Sequence, residues 1–315
     1  MKDGPIGVFD SGFGGLSVAR ALIDLLPGER LVYVGDTGRY PYGPRPQRQV
    51  AGFARQITTK LVDDHQVKMV VVACNTATAA AIDDLQDHFD IPVIGVIEPG
   101  LRSAIRATTH GRVGVIGTVG TIGSGAYQQA ARPWTDRGTL SLTCAACPGF
   151  VEFVERGELA SDQVVVLAER LLAPIIDAKV DTLLLGCTHY PFLARTISDV
   201  VGRDVVLVSS AEETAFEVRS LLAGSGTEAG VGGSIGSIPF RRTETETQTG
   251  SQFVSEEHRR YAVGRRNLER GDPERAGHVW ISSGDAETFL ALGRRLLGPE
   301  IDHVESWDPD YRDRP

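Results

Sequence analysis

The sequence predicts an α/β protein made of two similar, pseudo-symmetric α/β domains, with mainly parallel sheets and a functional cleft between them. Three observations lead there. Short aliphatic runs alternate with helix-length segments, as in parallel sheets covered by helices. The alternation occurs twice in a similar order: an opening strand, a glycine-rich loop, and a later aliphatic strand ending in cysteine. Those cysteines stand in matched contexts, Val70-Val71-Val72-Ala73-Cys74-Asn75-Thr76 and Leu183-Leu184-Leu185-Gly186-Cys187-Thr188-His189. Each thiol falls at the carboxyl end of a run that suits a buried parallel strand, the end where open α/β sheets bind ligands.

In the first series, residues 5–10 read as a strand, 11–15 as a glycine-rich loop and 16–26 as a helix. A second strand over 31–34 ends in Gly35-Asp36-Thr37. Segment 40–46 holds three prolines and is a loop, since proline neither donates to a ladder nor continues a helix. A helix over 47–65 leads into the Cys74 strand, 77–88 is helical and 92–96 is strand. The second series opens with a strand over 112–116, loop 117–121 and a helix over 124–131. A strand over 140–145, helices over 149–156 and 161–179, the Cys187 strand, a helix over 192–200 and a strand over 205–208 complete it. The first domain is expected over 1–97 with 209–315, the second over 98–208.

Between 224 and 277 the composition changes, with Gly, Ser, Thr and Glu dominating as far as 255. Such a segment buries too little apolar surface to offset its ordering and reads as a mobile surface insert, followed by a charged, solvated helix over 256–270. Residues 279–284 then read as a returning edge strand, and 285–297 as a last helix with Phe289, Leu292 and Leu296 on one face.

Composition narrows the function. A 315-residue chain with 42% hydrophobic and 23% charged residues is an ordinary globular one. No apolar run reaches the roughly 18–20 residues of a bilayer span, and the N-terminus lacks a signal-peptide core, so a cytoplasmic protein without a membrane partner is expected. Four cysteines in such a chain make no disulfide framework. A net charge of −9 argues against nucleic acid as a partner but leaves room for a small anionic substrate held by hydroxyls and backbone N–H groups.

Cys74 precedes an alanine-rich helix whose N-terminal dipole stabilises a thiolate, and Cys187 precedes Thr188-His189, an imidazole placed to orient it or shuttle its proton. Asp10 and Ser11 open a turn whose glycines let backbone approach a ligand; its spacing is not the dinucleotide fingerprint. Tyr42-Gly43 lies in a loop stiff enough to present a backbone N–H, and Asn75, Thr76, Thr118 and Thr121 offer polar groups at strand ends. Glu155 is the candidate helper acid, with Glu152 nearby as the other choice. Cys144-Ala145-Ala146-Cys147 has redox or zinc spacing but no second C-x-x-C or histidine pair, so no metal site is assigned.

Taken together, these segments resemble glutamate racemases. The resemblance runs through Gly7-Val8-Phe9-Asp10-Ser11-Gly12-Phe13-Gly14-Gly15, Pro41-Tyr42-Gly43-Pro44-Arg45, Ala73-Cys74-Asn75-Thr76-Ala77, Gly95-Val96-Ile97-Glu98-Pro99 and Leu185-Gly186-Cys187-Thr188-His189-Tyr190-Pro191. It covers 6–210 and the final strand and helix; the insert before Trp280 departs from that family's compact C-terminus. It implies interconversion of L- and D-glutamate for peptidoglycan without cofactor or metal, in a homodimer. By resemblance Cys74 serves the D-enantiomer and Cys187 the L-enantiomer, with Asp10 and His189 supporting them respectively and Glu155 as a further acid. Asp10, Ser11, Tyr42, Gly43, Asn75, Thr76, Thr188 and His189 match substrate-contacting positions. An aspartate or hydantoin racemase of the same superfamily is the alternative, as is an added protein-binding role, for example on a DNA topoisomerase.

Overall fold

The computed structural model describes residues 4–224 and 277–309, so the expected insert and its charged helix lie outside the described residues. The first series forms β1 (Ile6–Asp10), α1 (Leu16–Leu25), β2 (Leu31–Gly35), α2 (Gln47–His65), β3 (Met69–Val72), α3 (Asn75–His88), β4 (Val93–Gly95) and α4 (Ile97–Ala107). The second forms β5 (Arg112–Gly117), α5 (Val119–Gly123), α6 (Ala126–Thr135), β6 (Ser141–Ala146), α7 (Phe150–Glu155), α8 (Asp162–Asp177), β7 (Thr182–Gly186), a 3-10 turn (Tyr190–Leu193), α9 (Ala194–Val201) and β8 (Val206–Val208). The chain then adds α10 (Ala211–Leu222), β9 (Val279–Ser282), α11 (Ala286–Leu297) and β10 (Glu305–Ser306).

Every pair of neighbouring strands is parallel. One sheet has the order β10-β9-β2-β1-β3-β4 and the other β6-β5-β7-β8. The inner order 2-1-3-4 of the first sheet repeats as 6-5-7-8 in the second, which is the internal duplication the sequence implied. In each sheet the chain leaves its opening strand for one side and later returns on the other. Open parallel sheets bind ligands at that reversal, outside the strand carboxyl ends. In the first sheet it lies between β1 and β3, which end at Asp10 and just before Cys74; in the second it lies between β5 and β7, which end just before Thr118 and Cys187.

The strands are apolar throughout because both sheet faces are covered. Met69 and Val71 of β3 join one core with Ile6, Val8, Leu31 and Tyr33, while Val70 and Val72 join the other with Phe9, Val32 and Val34. In β7, Leu183 and Leu185 face one core and Leu184 the opposite one. Fully burying one such side chain contributes about 1.5–3 kcal/mol, so these rows fix the register of both sheets.

Several elements differ from the sequence reading. Helix α4 was not expected, because Pro99-Gly100 looks like a breaker; proline is tolerated in a first turn. Gly100 is needed there for close packing, as a Cβ would come within 2.9 Å of Ser210 Cβ. Helix α10 also went unseen, since its buried face consists of the small or weakly apolar Ala211, Thr214, Ala215 and Val218. The expected 117–121 loop contains the short α5, and Gly125, whose φ is +75°, separates it from α6, the counterpart of the expected 124–131 helix. Strand β9 is not an edge: it lies between β2 and the two-residue β10, too short to signal itself.

Candidate active site

Cys74 and Cys187 line one cleft. They reach it from different sheets, and both are nearly covered, at 5% and 6% exposure. Cys74 is the N-cap of α3, and its sulfur accepts the Ala77 N–H at 3.4 Å. The helix therefore begins at Asn75, two residues earlier than its apolar pattern indicated. Burial, reinforced by the Asp10 carboxyl, pushes the Cys74 thiol up to about 12, so it holds its proton at neutral pH.

His189 follows Cys187 by two residues and interacts with its sulfur. Burial opposes a charge on this imidazole, but Cys187, Glu155 and Asp10 outweigh it and lift His189 to about 10. Its Nε2 meets Glu155 Oε1 at 2.8 Å. Glu155, at the end of α7, is thus the glutamate in contact with His189, whereas Glu152 lines the cleft itself.

Asp10 stands at the carboxyl end of β1 with no exposed surface. It accepts from the Gly12 N–H at 2.7 Å, the Ser11 hydroxyl at 3.4 Å and, from the other sheet, the Thr188 hydroxyl at 3.2 Å. Burial raises its pKa, and His189 with the Gly12 and Thr188 donors works against the rise. The Cys74 sulfur reaches Ser11 Oγ at 3.8 Å, so Ser11 links that thiol to Asp10.

Hydroxyls and amides join the two walls. Thr76 Oγ1 lies 3.0 Å from Thr118 Oγ1 and 3.1 Å from Thr121 Oγ1, and Asn75 Nδ2 donates to Tyr127 OH at 2.9 Å. Gly120 N donates to Gly43 O at 2.9 Å, an approach open only to glycine, since a Cβ at Gly43 would sit 2.9 Å from Thr118 Cβ. The Tyr42 ring is buried and its hydroxyl donates to Asp36, away from the cleft.

Of the residues singled out from sequence, Ser11, Tyr42, Gly43, Cys74, Asn75, Thr76, Thr118, Cys187, Thr188 and His189 line the cleft. Asp10, Thr121 and Glu155 stand behind that lining, each one hydrogen bond from a lining side chain. Sequence reasoning did not single out Tyr40, which lines the cleft, or Tyr127, the partner of Asn75. Both lie where local pattern speaks only of a loop or a helix interior. Cys144 and Cys147 pack into different cores on either side of the second sheet, and all four cysteines are free.

Among the described residues, the lining contains no lysine or arginine. Beside the His189 imidazolium, an anionic substrate meets hydroxyls and the N-terminal end of α3 there, donors that suit carboxylates. Two sulfurs at the switch points of duplicated sheets line the same cleft, the arrangement expected from the racemase resemblance.

Comparison with known proteins agrees with that class. The model of the Asp/Glu/Hydantoin racemase family matches residues 6–217. The glutamate racemase of Acidothermus cellulolyticus is 44% identical over 96% of this chain and 99% of its own. A solved glutamate racemase isoform from Bacillus anthracis is 35% identical with a TM-score of 0.76, covering 98% of this chain and 97% of its own. The Francisella tularensis glutamate racemase, solved in complex with D-glutamate, is 28% identical with a TM-score of 0.75 over 98% and 99%. The chain belongs to the Asp/Glu/Hydantoin racemase family and, within it, to the glutamate racemases.

Proposed function

We propose that the chain interconverts L- and D-glutamate without a cofactor by a two-thiol proton transfer, supplying D-glutamate for peptidoglycan. The observation that carries the reading is the pair of buried thiols reaching one cleft from duplicated sheets. Inverting a carbon needs access to both of its faces, hence two bases rather than one. From L-glutamate, Cys187 takes the α-proton and Cys74 donates its own to the opposite face; from D-glutamate the roles reverse. Each sulfur has a partner placed to exchange protons with it: the His189 imidazolium for Cys187, and the Ser11 hydroxyl, linked to Asp10, for Cys74.

Removing an α-proton leaves a carbanion-like state, so the donors around the carboxylates must be in place beforehand, in a site that excludes water. The hydrogen bonds between the walls, from Thr76 to Thr118 and Thr121 and from Thr188 to Asp10, support such a closed arrangement. Asp10, Ser11 and Asn75 are assigned to the substrate ammonium and its neighbourhood. Thr76, Thr118, Thr188 and the Tyr42-Gly43 backbone are assigned to its carboxylates, with Thr121 holding the threonines in place.

We infer two domains, 1–97 with 209–315 and 98–208. In support, α4 contributes Ile97, Leu101 and Ala104 to the second sheet's core, and α10 contributes Ala211, Ala215 and Val218 to the first's. A cytoplasmic homodimer is the assigned state, to be checked by sedimentation. The reaction is tested with Cys74→Ser and Cys187→Ser, each assayed in both directions; loss of ~10²–10⁴-fold in each is expected. Near-full racemisation by either variant would refute the two-base reading.

A further inference from the structure

Tyr40 has no role in the mechanism above, yet its placement is unusual. Its ring lies on the cleft wall 5.9 Å from the His189 imidazole, tilted 32° to it, and covers the loop after Asp10. A Cβ at Gly12 would meet the ring at 3.4 Å. Its hydroxyl is buried and has no hydrogen-bond partner among the described residues. A buried phenol without a partner costs about 1–3 kcal/mol, so the site is complete only when something accepts from it. Burial and the neighbouring Glu155, Cys187, Glu152 and Asp10 all raise the Tyr40 pKa, so the group remains a neutral O–H donor. Tyr33, Tyr42, Tyr127 and Tyr190 also contain buried rings, but each of their hydroxyls has a protein partner.

We propose that Tyr40 is a substrate-binding residue whose hydroxyl donates to a carboxylate oxygen of the bound amino acid on the His189 side of the cleft. The proposal rests on the glutamate reading above. In a cleft whose lining, among the described residues, holds the His189 imidazolium but no lysine or arginine, one more neutral donor adds substantially to the carboxylate's partners. The hydroxyl, rather than the ring, carries the effect.

Tyr40→Phe keeps the ring against His189 and removes only the donor. Losing a hydrogen bond to a charged group is expected to raise KM for both enantiomers about tenfold, with kcat changed less than about threefold. Calorimetric binding of D-2-aminopentanoate, which lacks the side-chain carboxylate, locates the acceptor. If only glutamate binding weakens, the hydroxyl serves the side-chain carboxylate; if both weaken, it serves the α-carboxylate. An unchanged KM in Tyr40→Phe, or a fall in kcat alone, would overturn the proposal. Failure of the wild-type protein to racemise glutamate would instead remove the reading it rests on.

Discussion

Gly14 packs directly against Thr188 and His189 of the opposite half of the site, and alanine there is a steric test of the site's geometry. An added Cβ would lie 2.2 Å from Thr188 Oγ1, 2.7 Å from Thr188 Cβ and 2.8 Å from His189 Nδ1. Reaching ordinary contact at 3.4 Å requires the Thr188 hydroxyl to retreat by about 1.2 Å. Its hydrogen bond to Asp10 is already 3.2 Å long and does not survive such a move. A displacement of about 1 Å in a positioning group costs roughly 10²-fold in rate, or about 2.7 kcal/mol of transition-state stabilisation. Losing the Thr188–Asp10 bond adds about 1–3 kcal/mol of destabilisation. Gly14→Ala is therefore expected to lower kcat/KM about a hundredfold in both directions and to lower the melting temperature. Gly28→Ala is the control, because a Cβ there meets nothing within 4 Å. Coupled assays of D- and L-glutamate formation with a thermal melt read out both effects. Activity within about threefold of wild type would show that the wall carrying Thr188 and His189 is not held where the structure has it.

Further expectations follow from the same geometry. His189 is raised from 6.5 to about 10, so its stabilising contribution is fully present below about pH 6.5 and is lost as pH rises through about 10. Glu155→Gln removes one cause of that rise; urea titrations across this window should show a shallower alkaline decline, and an unchanged one contradicts the pairing. Asp36 is buried against Arg39 at 2.8 Å and also accepts from Tyr42 and Ser283, so Asp36→Asn should cost about 3–5 kcal/mol in chemical denaturation. A loss under about 1 kcal/mol would refute that network's weight. Aspartate, one methylene shorter than glutamate, should be racemised with roughly 10–200-fold lower kcat/KM. Equal efficiency on the two substrates would overturn the substrate assignment.

The duplication and the two thiols were legible because β3 and β7 are buried on both faces and so appear as unbroken aliphatic runs ending in cysteine. The polar residues just after each strand were legible for the same reason, since strand ends in parallel sheets are where side chains leave the core. What stayed hidden depends on contacts distant in sequence. The Asp10–Thr188 bond spans 178 positions, and the partner of Asn75 is a tyrosine inside α6. Tyr42 lines the cleft with its loop, yet its ring packs in the core and its hydroxyl goes to Asp36, whereas the Tyr40 hydroxyl has no partner among the described residues. A proline-rich loop gives no periodicity by which to tell these two directions apart. Helix α4 was masked by Pro99-Gly100, residues that break a helix in its interior but not in its first turn.

The central claim is that two thiols act on opposite faces of one carbon, and solvent isotope in a single passage tests it most directly. L-Glutamate is incubated with enzyme in D2O, and both enantiomers are separated at low conversion. The account predicts deuterium at the α-carbon of the D-glutamate formed, with protium retained in the unconverted L-glutamate. Early deuterium in the recovered L-glutamate matching that in the product, or D-glutamate that retains protium, would contradict it, because a single base returns its proton to either face.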